Sequence, residues 1–137
     1  MMKEVTVWMI VLIDTHSCVE YLLGTPQGAI VRKYIEDPPE SSPNEIAISA
    51  VSVAELTKWA LKNGSEKAGR AVGSLMSQIN IISVDEGIAR EAGRIAASHN
   101  CGLGDALIYA TARALNAQLL TGDPHFKDAK DTIYVRI

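Results

Sequence analysis

The stretch Val5-Thr6-Val7-Trp8-Met9-Ile10-Val11-Leu12-Ile13-Asp14-Thr15-His16 decides how the chain is read. Its apolar run from Val5 to Ile13 falls far short of the ~20 residues that a membrane-spanning helix needs. It resembles an export signal only at first sight, because it ends in Asp14-Thr15-His16 rather than at a small-residue cleavage site. β-Branched residues fill it, and their stiff side chains pack well on a pleated surface. The run therefore reads as a buried central β-strand with an aspartate at its carboxyl end. No other stretch is suited to span a membrane.

Outward from this strand, strand and helix patterns alternate. Ser17 is the expected cap of a short helix carrying Val19, Tyr21, Leu22 and Leu23, stopped by Gly24. Thr25-Pro26 reads as the cap and first position of a second helix through about Asp37. The segment from Pro38 to Asn44 is loop-like and too short to link domains. Ile46 to Ile48 fits a second strand, Val51 to Lys62 and Ser65 to Ile79 two helices with a stop at Asn63-Gly64, and Ile81 to Val84 a third strand. Glu86 to His99 is amphipathic, with Ile88, Ala92, Ile95 and Ala96 inward. A helix from Asp105 to Asn116 and strands at Gln118–Thr121 and about Thr132–Val135 complete the pattern. Apolar strands separated by helices imply βαβ units, hence an α/β fold with a mainly parallel sheet covered on both faces.

Composition narrows the function. With 137 residues and 47% apolar content the chain is expected to form one domain over 1–137 with a real core. The 16 acidic against 13 basic residues exclude a protein that coats nucleic acid through bulk positive charge. Seven aromatic residues (one Phe, two Trp and four Tyr) leave little for a base-stacking platform. Cys18 and Cys101 lack any paired spacing and read as reduced thiols of a cytoplasmic protein.

Four acids stand where acids are not routine. Asp14 follows the most apolar strand, and Asp123 lies two residues beyond the strand Gln118–Thr121. Asp105 opens a helix, and Glu55 sits within Val51-Ser52-Val53-Ala54-Glu55-Leu56, flanked by apolar residues. Taken singly, Asp105 serves equally as a cap, Asp14 and Asp123 as turn formers, and Glu55 as a solvated position. Taken together, all four occupy places that an α/β sheet brings towards one rim, where such sheets bind ligands. Converging carboxylates repel and raise one another's pKa, so such a cluster requires a cation. Oxygen-only ligands suit Mg²⁺ or Mn²⁺, and the matching chemistry is metal-assisted hydrolysis of nucleic acid.

These residues resemble the PIN-domain ribonucleases, and among them the VapC-type toxins of toxin–antitoxin pairs. The resemblance runs from about Val7 to Val135 and rests on four segments in order. They are Leu12-Ile13-Asp14-Thr15, Ile48 to Leu56, Gly102-Leu103-Gly104-Asp105 with the helix to Ala112, and Leu119 to Phe126. It implies a three-layer α/β/α domain and an Mg²⁺- or Mn²⁺-dependent endoribonuclease whose acidic site is Asp14, Glu55, Asp105 and Asp123. It also implies RNA as substrate, an antitoxin partner that covers the site, and a homodimer. Thr121 is similar to the family's hydroxyl residue near the site, and Thr15 is a weaker match. Gly122 departs from the pattern, since the family often carries a basic residue there.

Other residues have plainer readings. His16 and His125 are expected to pack or face solvent, His99 to end a helix, and Asp128 to cap a helix or lie at the surface. Lys58 either pairs with Glu55 or reaches a phosphate. Trp59 lies on a helix apolar over more than one stripe, so part of that helix is expected to meet a second chain. Two other functions compete: a degenerate PIN domain that binds RNA or a protein without cleaving, and a phosphoesterase acting on small phosphates. No Gly-x-x-x-x-Gly-Lys-Ser/Thr cradle supports a nucleotide hydrolase. Setting the four acids aside leaves 12 acidic against 13 basic residues, so the acidic excess resides in the expected site.

Overall fold

A computed structural model describes residues 9–37, 44–129 and 131–135. Among them are the strands β1 (Met9–Ile13), β2 (Asn44–Ser49), β3 (Asn80–Ile82), β4 (Gln118–Thr121) and β5 (Thr132–Tyr134), ordered β3-β2-β1-β4-β5. All four pairings are parallel, and β1 is the central strand, as the opening stretch implies. Parallel neighbours need long crossovers, and helices supply them. These are α1 (Thr15–Leu23), α2 (Pro26–Glu36), α3 (Ala50–Asn63), α4 (Glu66–Gln78), α5 (Glu86–His99) and α6 (Leu103–Ala114).

The alternation along β1 divides the core into two layers. Val11 and Ile13 pack with Ile48, Leu120 and the buried side chains Cys18, Val31, Leu56 and Leu75 of α1 to α4. Leu12 faces the other way, onto Ala47, Leu119, Phe126 and the buried faces of α5 and α6. A strand covered on both faces has no polar side to show, which explains the unbroken apolar run. The result is a three-layer α/β/α arrangement. Among the described residues no helix is long and apolar enough to cross a membrane.

Element boundaries follow local chemistry. Thr25 caps α2 by accepting from the Gly28 amide, with Pro26 behind it as expected. Ser49 and Ser65 cap α3 and α4, and Gly64 ends α3 at φ 65. The α5 bounds coincide with those read from its periodicity. Two expectations are corrected. Asp14, not Ser17, caps α1, because the Asp14 carboxylate accepts from the Ser17 amide while Ser17 lies inside the first turn. The last major helix begins at Leu103 behind a Gly102 cap, so Asp105 sits in its first turn rather than at its start. Residues 5–8 of the expected first strand, and 38–43 of the expected loop, lie outside the described residues.

The strand order also places the site. From β1 the chain builds β2 and β3 on one side, then returns to place β4 and β5 on the other. The crevice beyond the carboxyl ends of β1 and β4 is therefore the topological switch point where open α/β sheets bind ligands.

Gly28 tests the packing of α1 against α2. A methyl group on it would lie 2.0 Å from the Glu20 carbonyl oxygen, a backbone atom that cannot swing aside. Alanine's better helix propensity offers only about 1 kcal/mol, less than such an overlap costs. Gly28→Ala is expected to lower stability by a net of about 1–3 kcal/mol, measured by urea unfolding.

Candidate active site

Asp14 is held from three sides. Its backbone N–H donates to the Leu120 carbonyl at 3.1 Å, which extends the β1–β4 pairing by one residue. One carboxylate oxygen, Oδ1, accepts from the Ser17 amide at 2.9 Å, and the other accepts from Thr121 Oγ1 at 2.5 Å. Both partners are fully buried, and Asp14 itself is 8% exposed. A buried carboxylate is tolerated when its oxygens are hydrogen-bonded, and here each has a donor.

The Thr121 hydroxyl does two things at once. While donating to Asp14 it accepts from the Asp123 backbone N–H at 3.0 Å, so one side chain fixes the turn that carries the second aspartate. Asp123 then caps the short 3₁₀ helix Pro124–Phe126, where Oδ1 accepts from the His125 amide at 2.9 Å. His125 Nδ1 lies 2.8 Å from the same oxygen. The turn-forming alternatives for Asp14 and Asp123 thus hold as local structure, and they aim both carboxylates into the same crevice.

Asp105 arrives from α6 and Glu55 from α3. The cleft, about 340 Å³, is lined by Asp14, Thr15, His16, Asp105, Gly122, Asp123 and Pro124. Glu55 stands beside this lining rather than within it. Its Oε1 accepts from Thr15 Oγ1 at 2.6 Å, and its Oε2 lies 3.4 Å from where a side chain on Gly104 would begin. The electrostatics tie the four acids together. Partial burial, and then the charges of Asp123, Glu55 and Asp14 in that order, hold the Asp105 carboxyl above its ordinary range. The same setting raises the neighbouring Cys101 thiol, chiefly through burial and then through Asp105.

All the donors on these acids are oxygens, the set that suits a hard divalent cation. No Lys or Arg among the described residues pairs with any of the four, and the exposed His125 ring faces Asp123. Among the described residues no three His, Cys, Asp or Glu groups, as placed, are gathered tightly enough to hold one ion. The acids are close enough to repel but stand open.

The remaining residues resolve plainly. His16 lines the cleft, but its Nε2 faces Glu20 on the next turn of α1 at 3.4 Å. His99 closes the last turn of α5 against the Ile95 carbonyl, as a helix-end residue does. Lys58 is exposed and makes no ion pair with Glu55, and Asp128 is exposed. Trp59 is half-buried against the α1–α4 core layer. Cys18 and Cys101 are free thiols, and burial, followed by the charge of Asp14, pushes Cys18 above the usual thiol range.

Two residues at the site were not singled out by sequence. Ser52, fully buried on α3, lies 2.9 Å from Thr15 Oγ1. Its signal is the i, i+3 spacing to Glu55 on one helix face. Gln27 of α2 explains the departure at Gly122. Its Nε2 donates to the Val135 carbonyl at 2.8 Å and sits 2.3 Å from where a Cβ on residue 122 would be. A side chain at 122 would require the Gln27 amide to swing away from the Val135 carbonyl.

Comparison with known proteins follows the same lines. Residues 11–131 match the family model described as PIN domain. A chain of a toxin–antitoxin complex from Klebsiella pneumoniae superposes with a TM-score of 0.74 at 24% identity, covering 92% of this chain and 98% of that one. The VapBC-1 structure from nontypeable Haemophilus influenzae gives 0.69 at 27% identity, covering 92% and 96%. VapC20 from Mycobacterium tuberculosis, described as a sarcin-ricin loop cleaving toxin, gives 0.68 at 19%, covering 93% and 99%. Comparison with curated protein sequences returns no match.

Because the Asp105 carboxyl is raised in the folded protein, the native state holds a proton that the unfolded chain gives up. Its contribution to stability therefore falls as pH rises through the window starting at the ordinary value of 3.8. Without added metal, Asp105→Asn is expected to raise the melting temperature at pH 7 by about 1–3 °C. The gain should vanish below 3.8, as followed by circular dichroism.

Proposed function

We propose, since this chain belongs to the PIN-domain family, that it is a divalent-metal-dependent endoribonuclease acting as one domain over residues 1–137, and the toxin of a toxin–antitoxin pair. The observation that carries the reading is Asp105. Its carboxyl is raised by partial burial and then by three other acids, delivered from separate parts of the chain to the switch-point cleft or, for Glu55, to its edge. A binding module has no use for carboxylates that repel one another, and this separates the reading from a degenerate PIN domain.

Asp14, Glu55, Asp105 and Asp123 would hold Mg²⁺ or Mn²⁺. When bound, the cation supplies the positive charge that draws a phosphodiester into an acidic cleft and polarises it for attack by water. The chain's own groups divide the remaining work. Asp14 is the fixed wall, pinned by Thr121 and the Ser17 amide. Asp105, Asp123 and Glu55 are less buried than Asp14 and would supply the remaining carboxylate oxygens to the ion. Thr121 keeps Asp14 and the Asp123 turn in register. With the excess acid confined to this site, RNA affinity depends on the cation rather than on bulk surface charge.

The antitoxin reading is supported by the solved neighbours, of which the Klebsiella pneumoniae structure is itself a toxin–antitoxin complex. Exposed apolar side chains on this chain, Leu61 at 77% and Leu103 at 60%, are area that an antitoxin or a second copy in a homodimer would cover. A small adjacent reading frame encoding a DNA-binding protein that co-purifies with this chain would separate a toxin from a housekeeping nuclease.

Purified protein is expected to cleave RNA with Mn²⁺ or Mg²⁺ and to stop when the metal is chelated. Asp14→Asn and Asp105→Asn should each lower turnover by about 100-fold or more, as loss of a metal ligand does. Full turnover by either variant, in an assay controlled for contaminating nuclease, would overturn the assignment.

A further inference from the structure

We propose that Thr15 and Ser52 form a hydroxyl relay that positions Glu55 for the cation, which makes Thr15 a positioning residue of the site. The inference rests on the metal-dependent reading above and extends it to two side chains that are not among the proposed cation ligands.

The geometry begins with a proton count. Thr15 Oγ1 lies 2.6 Å from Glu55 Oε1 and 2.9 Å from Ser52 Oγ. A threonine hydroxyl has one proton, and an ionised carboxylate only accepts. Thr15 therefore donates to Glu55, and Ser52 donates to Thr15. The relay runs from a fully buried serine, through a half-buried threonine, to an exposed glutamate.

Each member is placed by a rigid element. Thr15 is the first residue of α1, directly after the capping Asp14, so its position is set by the same bonds that fix Asp14. Ser52 and Glu55 lie one turn apart on α3 and face α1 together. Without the relay, an exposed glutamate on a helix samples several rotamers, and ordering it costs free energy on every binding event. With the relay, Oε1 is tethered while Oε2 points towards Gly104 and the first turn of α6, where Asp105 stands. Each carboxylate oxygen has two lone pairs, so the Thr15 bond leaves Oε2 free for an ion. Gly104 contributes by having no side chain, since a Cβ there would come within 3.4 Å of that oxygen.

The arrangement also ties Glu55, 40 residues from Thr15 in sequence, to the edge of the Asp14 cleft. Among the described residues no Lys, Arg or His forms an ion pair with Glu55, and its side-chain hydrogen bond comes from Thr15.

The test is Mn²⁺ binding to the purified, metal-stripped chain by titration calorimetry, with thermal unfolding measured alongside. Thr15→Val keeps the shape and removes the hydroxyl. It is expected to weaken Mn²⁺ binding about 10–100-fold, the range found when an outer hydrogen bond to a metal ligand is lost. Thr15→Ser keeps the donor and should restore affinity to within about threefold of the parent. Ser52→Ala should give a smaller loss than Thr15→Val, and Thr15→Val should add no further loss in a Glu55→Gln background. Should Thr15→Val fail to fold, Ser52→Ala and the serine variant carry the comparison. If the parent and Thr15→Val bind Mn²⁺ equally while Glu55→Gln binds it weakly, the relay is wrong and the metal site stands. If the parent binds no divalent ion, the metal reading itself fails, and the relay falls with it.

Discussion

The fold turns on one buried carboxylate. Asp14 sits where β1 ends, α1 begins and β4 passes alongside, and it has a bond to each of the latter two. Its backbone prolongs the sheet, one oxygen stops the strand by capping the helix, and the other takes the Thr121 hydroxyl. A carboxylate moved out of water without donors would be neutralised or expelled. With donors on both oxygens, it becomes the joint that registers two strands and a helix. An aspartate that looks at first like a turn former is both a structural joint and the deepest acid of the cleft.

The same economy explains how a repulsive cluster folds at all. Asp14 and Asp123 each cap a helix, so each carries a local stabilising role of its own. Glu55 is offset by a hydroxyl, and His125 stands against Asp123. Asp105 caps no helix and its side-chain hydrogen bond is to another acid, Asp123, and it is the acid whose carboxyl is pushed up. The strain of the site is thus concentrated on one side chain at the start of α6. A helix N-terminus is a favourable place for negative charge, which limits the cost.

The departure at Gly122 is a packing matter as much as a chemical one. The Gln27 amide reaches across from α2 to the β5 end and occupies the room beside Gly122. The missing basic side chain and the inserted glutamine are two halves of one arrangement. Under the proposed function, phosphate binding in this cleft would lean on the cation and not on a cationic residue at position 122.

Much of this was legible in the sequence, and the boundary is physical. The apolar run ending at Ile13 had to be a strand covered on both faces, because its side chains have no polar period. The α5 helix could be bounded from periodicity alone, and the acids at strand ends could be picked out because strand ends are where α/β sheets expose ligands. Local pattern could not choose between Asp14 and Ser17 as the cap of α1. Both are good caps, and the choice depends on where the sheet releases the chain, which the Asp14–Leu120 bond decides. Nor could it pair Asp14 with Thr121, 107 residues apart, or Thr15 with Glu55, 40 apart. By itself the sequence determined the elements, their order and which acids reach the rim, since periodicity and composition act over a few residues. Only the tertiary structure decided which oxygen meets which donor, because those contacts depend on strand register and on the packing of one helix against another.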